Sequence, residues 1–542
     1  MLKLLYTRFF DTRNIEFWAI VLLCITAVGL PLSACFMSIG TIGLAVLFTI
    51  SGHWDYKIKN LKKNIPMLLI TGLPLISLLW FANTSNFKYA LHDINIKHVL
   101  LVLPLAVGSV RLTRKQIFLI LQVFVLATII SSLASLGIYL GIYVPKKAIL
   151  NIRDITIIPH IRFGLMCVMS VCIIAYKLYE DFRNNHPIKN VVMVASALWL
   201  IYFTILLQTV TSWIVMFVLL CAYPIIYHKR LGKHAGIIYI AVVTTIIATS
   251  VLFVLKVHSD FHTIKDYGKP FDSVTLSGNP YTSDTTSTLI ENGYYVNRFI
   301  CKKELVQTWD SVSSIPYSGT DERGHSIGAT IIRFLSSKGY TKDREGVLAL
   351  TANEIKAIEH GCGSCVFLER SSAYKRVYEI IWEIDRYTKY GDPNGKSICM
   401  RIEFWKASRH IIKEHFWFGI GTGDFRDEFR TAYDEINSAL SNDYRNLAIC
   451  NQYLTFLISF GIFGFMASIF FLIVPFAKAK RRGFLLISFF ILIMTSMISE
   501  NTLDSQAGVL LFAFFYTLLL KADNSAELKS FYLDEETPQT QS

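Results

Sequence analysis

Apolar residues run along this chain in long stretches broken by short basic clusters, the pattern of a polypeptide that crosses a bilayer many times. The stretches lie at 16–34, 35–51, 66–82, 97–110, 116–140, 160–178, 190–208, 211–227, 235–255, 449–477, 483–498 and 506–520. They predict an all-α polytopic membrane protein with about twelve transmembrane helices. Basic residues gather at Lys3, Arg8 and Arg13, at 57–63, at 111–115, between Lys177 and Lys189, in "HKRLGKH" and at 478–482. Each cluster falls at an even-numbered crossing, which places both ends on the cytoplasmic side. The expected organisation is therefore 1–255 as nine helices, 256–447 as one large outer loop, 448–520 as three more helices, and 521–542 as a cytoplasmic tail.

A loop of that length needs structure of its own. "SGNPYTSDTTST" (277–288) is turn-rich and reads as irregular. Residues 326–339 show helical spacing and stop at Gly339, and "TANEIKAIEHG" opens with Thr351 and Glu354, a capping box. "SSAYKRVYEIIWEIDR" carries a further stripe at Tyr374, Val377, Tyr378, Ile381 and Trp382. After the turn "GDPNG" (391–395) comes the polar, aromatic stretch 401–429. There Ile402, Trp405, Ile412 and Phe416 share a helix face, and Gly419, Gly421 and Gly423 then break the helix. Asp424 is placed to cap a second helix with the stripe Phe425, Phe429, Tyr433, Ile436 and Leu440. The glycines either expose N–H groups to a phosphate or form a plain turn, and without a preceding strand they make no dinucleotide fingerprint.

Composition agrees: 53% of the 542 residues are hydrophobic, 17% are charged, and mean hydropathy is +0.44. The net charge of +13 serves orientation first, and no basic stripe with interleaved aromatics points to nucleic acid. "LSAC" at Leu32 to Cys35 resembles a lipoprotein signal, but the apolar run continues past Cys35, so a retained helix is expected. Of the ten cysteines, Cys24, Cys35, Cys167, Cys172 and Cys221 lie in predicted spans as small apolar residues. "CGSC" at Cys362 and Cys365 reads as a redox pair, as half of a zinc site with His360, or as part of a disulfide pattern with Cys301 or Cys399. The disulfide is preferred in an oxidising compartment.

Arg401, Trp405, "FWFGIGTGDF" and then "CNQYLTFLISFGIFG" occur in an order that resembles the signature of the O-antigen ligase and O-antigen polymerase superfamily. The resemblance implies a GT-C-like architecture and a glycosyltransferase, without metal or other cofactor, in the inner membrane of a Gram-negative bacterium. It implies a large periplasmic loop, a donor glycan on undecaprenyl diphosphate, and an acceptor hydroxyl on the lipid A core or another glycan. Membrane lipids are the remaining partners. A departing diphosphate gathers negative charge, so such a site needs fixed cations, and arginine's planar fork suits phosphate.

Topology collects the candidates on the outer side. Arg162, with His160 beside it, sits where the sixth span starts, and Arg401 lies in the loop. Cys450, Asn451 and Gln452 stand where the tenth span enters, and "QTVTS" (208–212) and "SENTLDSQ" (499–506), with Glu500, form outer turns. Arg401, Arg162 and Cys450 are the catalytic candidates; Asn451, Gln452, Trp405, Gly421, Gly423, His160 and Glu500 are the substrate-binding ones. His410 and His415 read as exposed positions of an amphipathic helix. Two departures from the family stand out: Cys450 occupies the place of a usual histidine, and "QTVTS" lacks an arginine often found there. Cys450 substituting as base, electrostatics without a strong base, and changed activity all remain open, with electrostatics favoured. A polymerase is the alternative function; a lipid-linked sugar transporter or an inactive binding protein is the alternative of another class.

Overall fold

A computed structural model of the chain describes residues 11–143, 152–181, 187–226, 232–271, 273–446 and 450–524. Lys3 and Arg8, parts of the clusters at 177–189 and 228–234, and most of the tail 521–542 lie outside the described residues. The chain is a multi-pass, all-α membrane protein. Each of the twelve apolar runs contains a helix. Among the described residues, eight helical stretches are long and apolar enough to cross a bilayer alone, and Ala34–Ile50 with Trp54–Lys63 forms a further pair bent by 119°. Val210–Ile226, Phe484–Ser499 and Gln506–Ala522 are shorter apolar helices.

Local chemistry sets the helix ends. Ser33 separates Thr12–Leu32 from Ala34–Ile50 and its hydroxyl accepts the Phe36 N–H, so a single residue turns the chain. Thr113 and Gln116 form a capping box at the start of Arg114–Tyr139. The fourth span is longer than its apolar run: Phe87–Lys97, capped by Asn86, precedes Val99–Ser109 and brings Lys97 into the buried interior.

Packing divides the chain into two compact units, differently from its hydropathy. The first comprises Met1–Pro145, Arg153–His228 and Met400–Ser542; the second comprises Lys146–Ile152 and Lys229–Cys399. The apolar helix Lys233–His262 belongs to the second unit, where Val257 and Phe261 pack with Tyr374 and Tyr378. Residues 400–446, expected in the outer loop, pack in the first unit: Phe404, Ala407, Ile411, Phe425, Phe429 and Tyr433 form one core with Ile458 of the tenth apolar run. That core takes its apolar area from both segments, which is why neither stands alone.

Within the second unit the predicted helices are present as Ile327–Ser337, Ala352–Glu359 and Ser372–Tyr390, and the Thr351–Glu354 capping box is complete. Leu305, Trp309, Ile331 and Phe334 fill its centre. The expected disulfide is not formed: all ten cysteines are free thiols. Cys362, Cys365 and Cys399 instead donate to the carbonyls of Ser364, Ser337 and Glu383.

Candidate functional site

The stretch 416–424 is stitched to the tenth span. Gly461, at φ 61° and ψ −170°, breaks the helix Gln452–Ala477 in a conformation that only glycine adopts readily. The freed backbone groups are taken by the outer stretch: Ile420 N–H donates to Ile458 O (3.0 Å), Gly421 N–H to Ser459 O (2.9 Å), and Ile462 N–H to Phe416 O (2.8 Å). Trp80 Nε1 donates to Phe418 O and Thr422 Oγ1 to Ser77 O, tying in the end of the third span. Gly421 and Gly423 are needed here for proximity, because a Cβ would lie 2.0 Å from Asn83 O and 2.2 Å from Asn86 O. Their neighbours are thus these backbone carbonyls.

Asp424 does not cap its own helix. Its carboxylate accepts the N–H groups of Ser85 and Asn86, at 2.7 and 2.6 Å, and the Thr84 hydroxyl. The helix Phe425–Glu435 begins without a side-chain cap, since the acceptor is spent on the turn 84–86. The helix face expected from Trp405 is also rotated. Cys399, Phe404, Ala407 and Ile411 are the buried apolar positions of Ser397–Glu414, while Trp405, Phe416, Trp417 and Phe418 are exposed. Aromatic content misled the periodicity, because spacing marks large rings without telling whether they are covered.

Behind this seam, four candidate residues converge. Arg401 Nη2 lies 3.0 Å from Glu500 Oε1, and Arg162 Nη1 lies 3.5 Å from Glu500 Oε2. One carboxylate therefore faces two guanidiniums. Arg162 also donates through Nη2 to Asn501 O (2.7 Å) and through Nε to Ser505 Oγ (3.3 Å). Its Nη1 is buried without a hydrogen-bond partner. Cys450 stands just ahead of the span Gln452–Ala477, in the field of both arginines and of Glu500. Burial pushes its thiol up, and the pull of Arg401 and Arg162 does not reverse that.

Asn451 and Gln452 hold the turn that carries Glu500. Asn451 N–H donates to Asn501 Oδ1 (2.8 Å), and Gln452 Oε1 accepts from Leu503 N–H (2.7 Å) while its Nε2 donates to Asp504 Oδ1 (3.4 Å). His160 opens the helix of Arg162 and is half-buried. His410 Nε2 lies 2.6 Å from Glu435 Oε2, within hydrogen-bond distance.

Two further features escaped the sequence reading. Lys97, buried, joins Asp93 at 2.8 Å and Asp504 at 3.9 Å, extending the charge network behind Gln452. Arg153 donates to Gln208 Oε1 at 3.4 Å, so a guanidinium from another loop reaches the turn "QTVTS" that lacks its own. The signal for Lys97 was a charge at the edge of an apolar run; for Arg153 it was a second arginine in "NIRDITIIPHIRF".

Residues 361–469 match the family model described as O-antigen ligase. The match covers Arg401, the glycine stretch, Cys450, Asn451, Gln452 and the break at Gly461. It supports the O-antigen ligase and polymerase superfamily, whose members are glycosyltransferase-like enzymes acting on lipid-linked glycans. Arg162 and Glu500 lie outside the matched segment and reach it through folding. No curated protein matches the chain.

Proposed function

We propose that the chain is an O-antigen ligase-like glycosyltransferase that needs no metal and acts at the periplasmic face of a Gram-negative inner membrane. It moves a glycan from undecaprenyl diphosphate to a hydroxyl of the lipid A core. The observation that carries this is the pair Arg162 and Arg401 on opposite oxygens of one buried carboxylate, with Arg162 Nη1 lacking a hydrogen bond. Two cations against one anion leave a positive charge for a phosphate, and Arg162 Nη1, facing Glu500 at 3.5 Å without a well-formed hydrogen bond, is open to a better-placed oxyanion.

In this reading the diphosphate takes over the guanidiniums, and Arg153 adds a third cation at the Gln208 turn. The acceptor oxygen attacks the anomeric carbon, and the carbon–oxygen bond to the diphosphate breaks with its electron pair leaving on the diphosphate. The acceptor proton passes to Glu500, released from its ion pairs. Cys450, its thiol raised by burial, is a neutral hydrogen-bonding neighbour instead of the base. Asn451 and Gln452 are positioning residues for the turn 501–504.

The test is complementation of a ligase-deficient strain, read as the lipopolysaccharide ladder. Arg401→Ala and Arg401→Lys are expected to abolish long-chain attachment, since a lysine cannot keep the fork. Normal ladders from both variants would remove Arg401 from the reaction. A purified assay with lipid A core as acceptor, compared with lipid-linked repeat units as acceptor, separates ligase from polymerase.

A further inference from the structure

The second unit contains a cleft of about 470 Å³ that the reaction above does not use. One wall is the segment Asp284–Leu289 with Asn297; the other is the C-terminal end of Ser372–Tyr390 and the turn that follows it. Its lining is polar. Thr286, Ser287, Thr288 and Asn297 present hydroxyl and amide groups, and Leu289 is the one aliphatic side chain among the lining residues. Such a surface offers nothing to an acyl chain or an apolar peptide anchor.

The charges in the cleft are not equivalent. Asp284 is satisfied within its own turn, accepting the Thr286 N–H (2.9 Å) and hydroxyl (2.6 Å). Asp392 is held by Lys396 at 2.5 Å and by the Asn394 N–H at 3.0 Å. Arg386 differs: its guanidinium lies 5.2 Å from the Trp382 ring and 5.4 Å from the Tyr390 ring, and among the described residues it makes no hydrogen bond or ion pair. Two aromatic faces orient the fork while leaving its donors uncommitted. Tyr390 is 51% exposed at the same rim.

We propose that this cleft binds a glycan segment carrying an anionic group. Arg386 takes the carboxylate or phosphate oxygen, Tyr390 offers its face to a sugar ring, and the threonine, serine and asparagine groups bond to ring hydroxyls. Only the ligand's class, a glycan, rests on the transferase reading; the preference for an anion comes from the lining. The cleft would hold the growing or incoming chain by its charged sugars, away from the bond that is made.

Binding to the full chain in detergent is measured calorimetrically with three probes: a uronic-acid oligosaccharide, its carboxyl-reduced neutral counterpart, and a phosphorylated oligosaccharide. The acidic probe is expected to bind about tenfold or more tightly than its neutral counterpart, and Arg386→Ala to remove that preference. The phosphorylated probe tells which oxyanion is favoured. Tyr390→Ala is expected to weaken all the glycan probes that bind, and circular dichroism checks that both variants keep their helices. Arg401→Ala is expected to leave this binding unchanged, so the two readings fail separately. The proposal is overturned if the wild-type chain binds no probe, if Arg386→Ala keeps the preference, or if inorganic phosphate alone matches the oligosaccharides.

Discussion

Glu500 shows how much a single side chain decides here. Two guanidiniums meet on it, so Glu500→Gln would leave both without a counter-charge, a change more damaging than loss of either partner. Removing one preorganised cation from a developing anion costs about 10²- to 10³-fold in rate, and Arg162→Ala and Arg401→Ala are each expected to fall in that range in a purified transfer assay. Cys450→Ser is expected to keep transfer within about threefold, because a thiol held neutral by burial is replaced by another neutral donor. A variant with no activity would restore the thiol to the reaction. Arg162 was legible as a charge at the start of an apolar run, and Arg401 through the ordered motif that resembles the ligase and polymerase superfamily. Glu500 was visible as one residue of an outer turn, but its position between two arginines follows from packing across distant spans. The engagement of Asn451 with Asn501, and of Gln452 with Leu503 N–H and Asp504, was not visible, since an amide's choice of partner depends on what folding brings within reach.

Among the elements, the break in the helix Gln452–Ala477 and the lysine of the second unit make separate predictions. Gly461→Ala combines a disallowed conformation with a Cβ 2.3 Å from Trp417 O, and is expected to lower both yield and heat stability. Asp424→Ala leaves the turn 84–86 without its acceptor, at an expected loss of about 2 to 3 kcal/mol, read by thermal unfolding in detergent. Lys342 is fully buried, donating to the Tyr267 hydroxyl (2.6 Å) and to Arg298 O (3.0 Å). Burial lowers its ammonium from 10.5 to about 7. A depressed folded value means that the unfolded chain binds the proton more readily. Stability contributed by the neutral amine is therefore present above 10.5 and is lost as pH falls toward 7. Lys342→Met is expected to flatten that dependence and to raise the unfolding temperature near neutral pH. Helix positions, the Thr351 capping box and the stripe from Phe425 to Leu440 could be read from spacing alone. The rotated face at Trp405 could not, because spacing finds a stripe of large residues without saying whether lipid, water or protein meets it.

For the molecule as a whole, each of the twelve apolar runs contains a helix, while contact packing groups residues 400–446 with the first compact unit. Residues 400–446 look extramembranous by polarity, yet their apolar side is completed by Ile458. Transfer activity is expected to survive chelation, measured with EDTA and then with added Mg²⁺ or Mn²⁺; abolition with rescue would replace electrostatic catalysis by arginine with catalysis by a metal. The backbone ladder between 416–421 and 458–462 has a practical consequence for exchange between related chains. Neither strand of that ladder can be transplanted alone: a chimera swapping the polar stretch must bring along the partner half-helix and its glycine hinge, or the graft arrives with carbonyls that have nothing to accept.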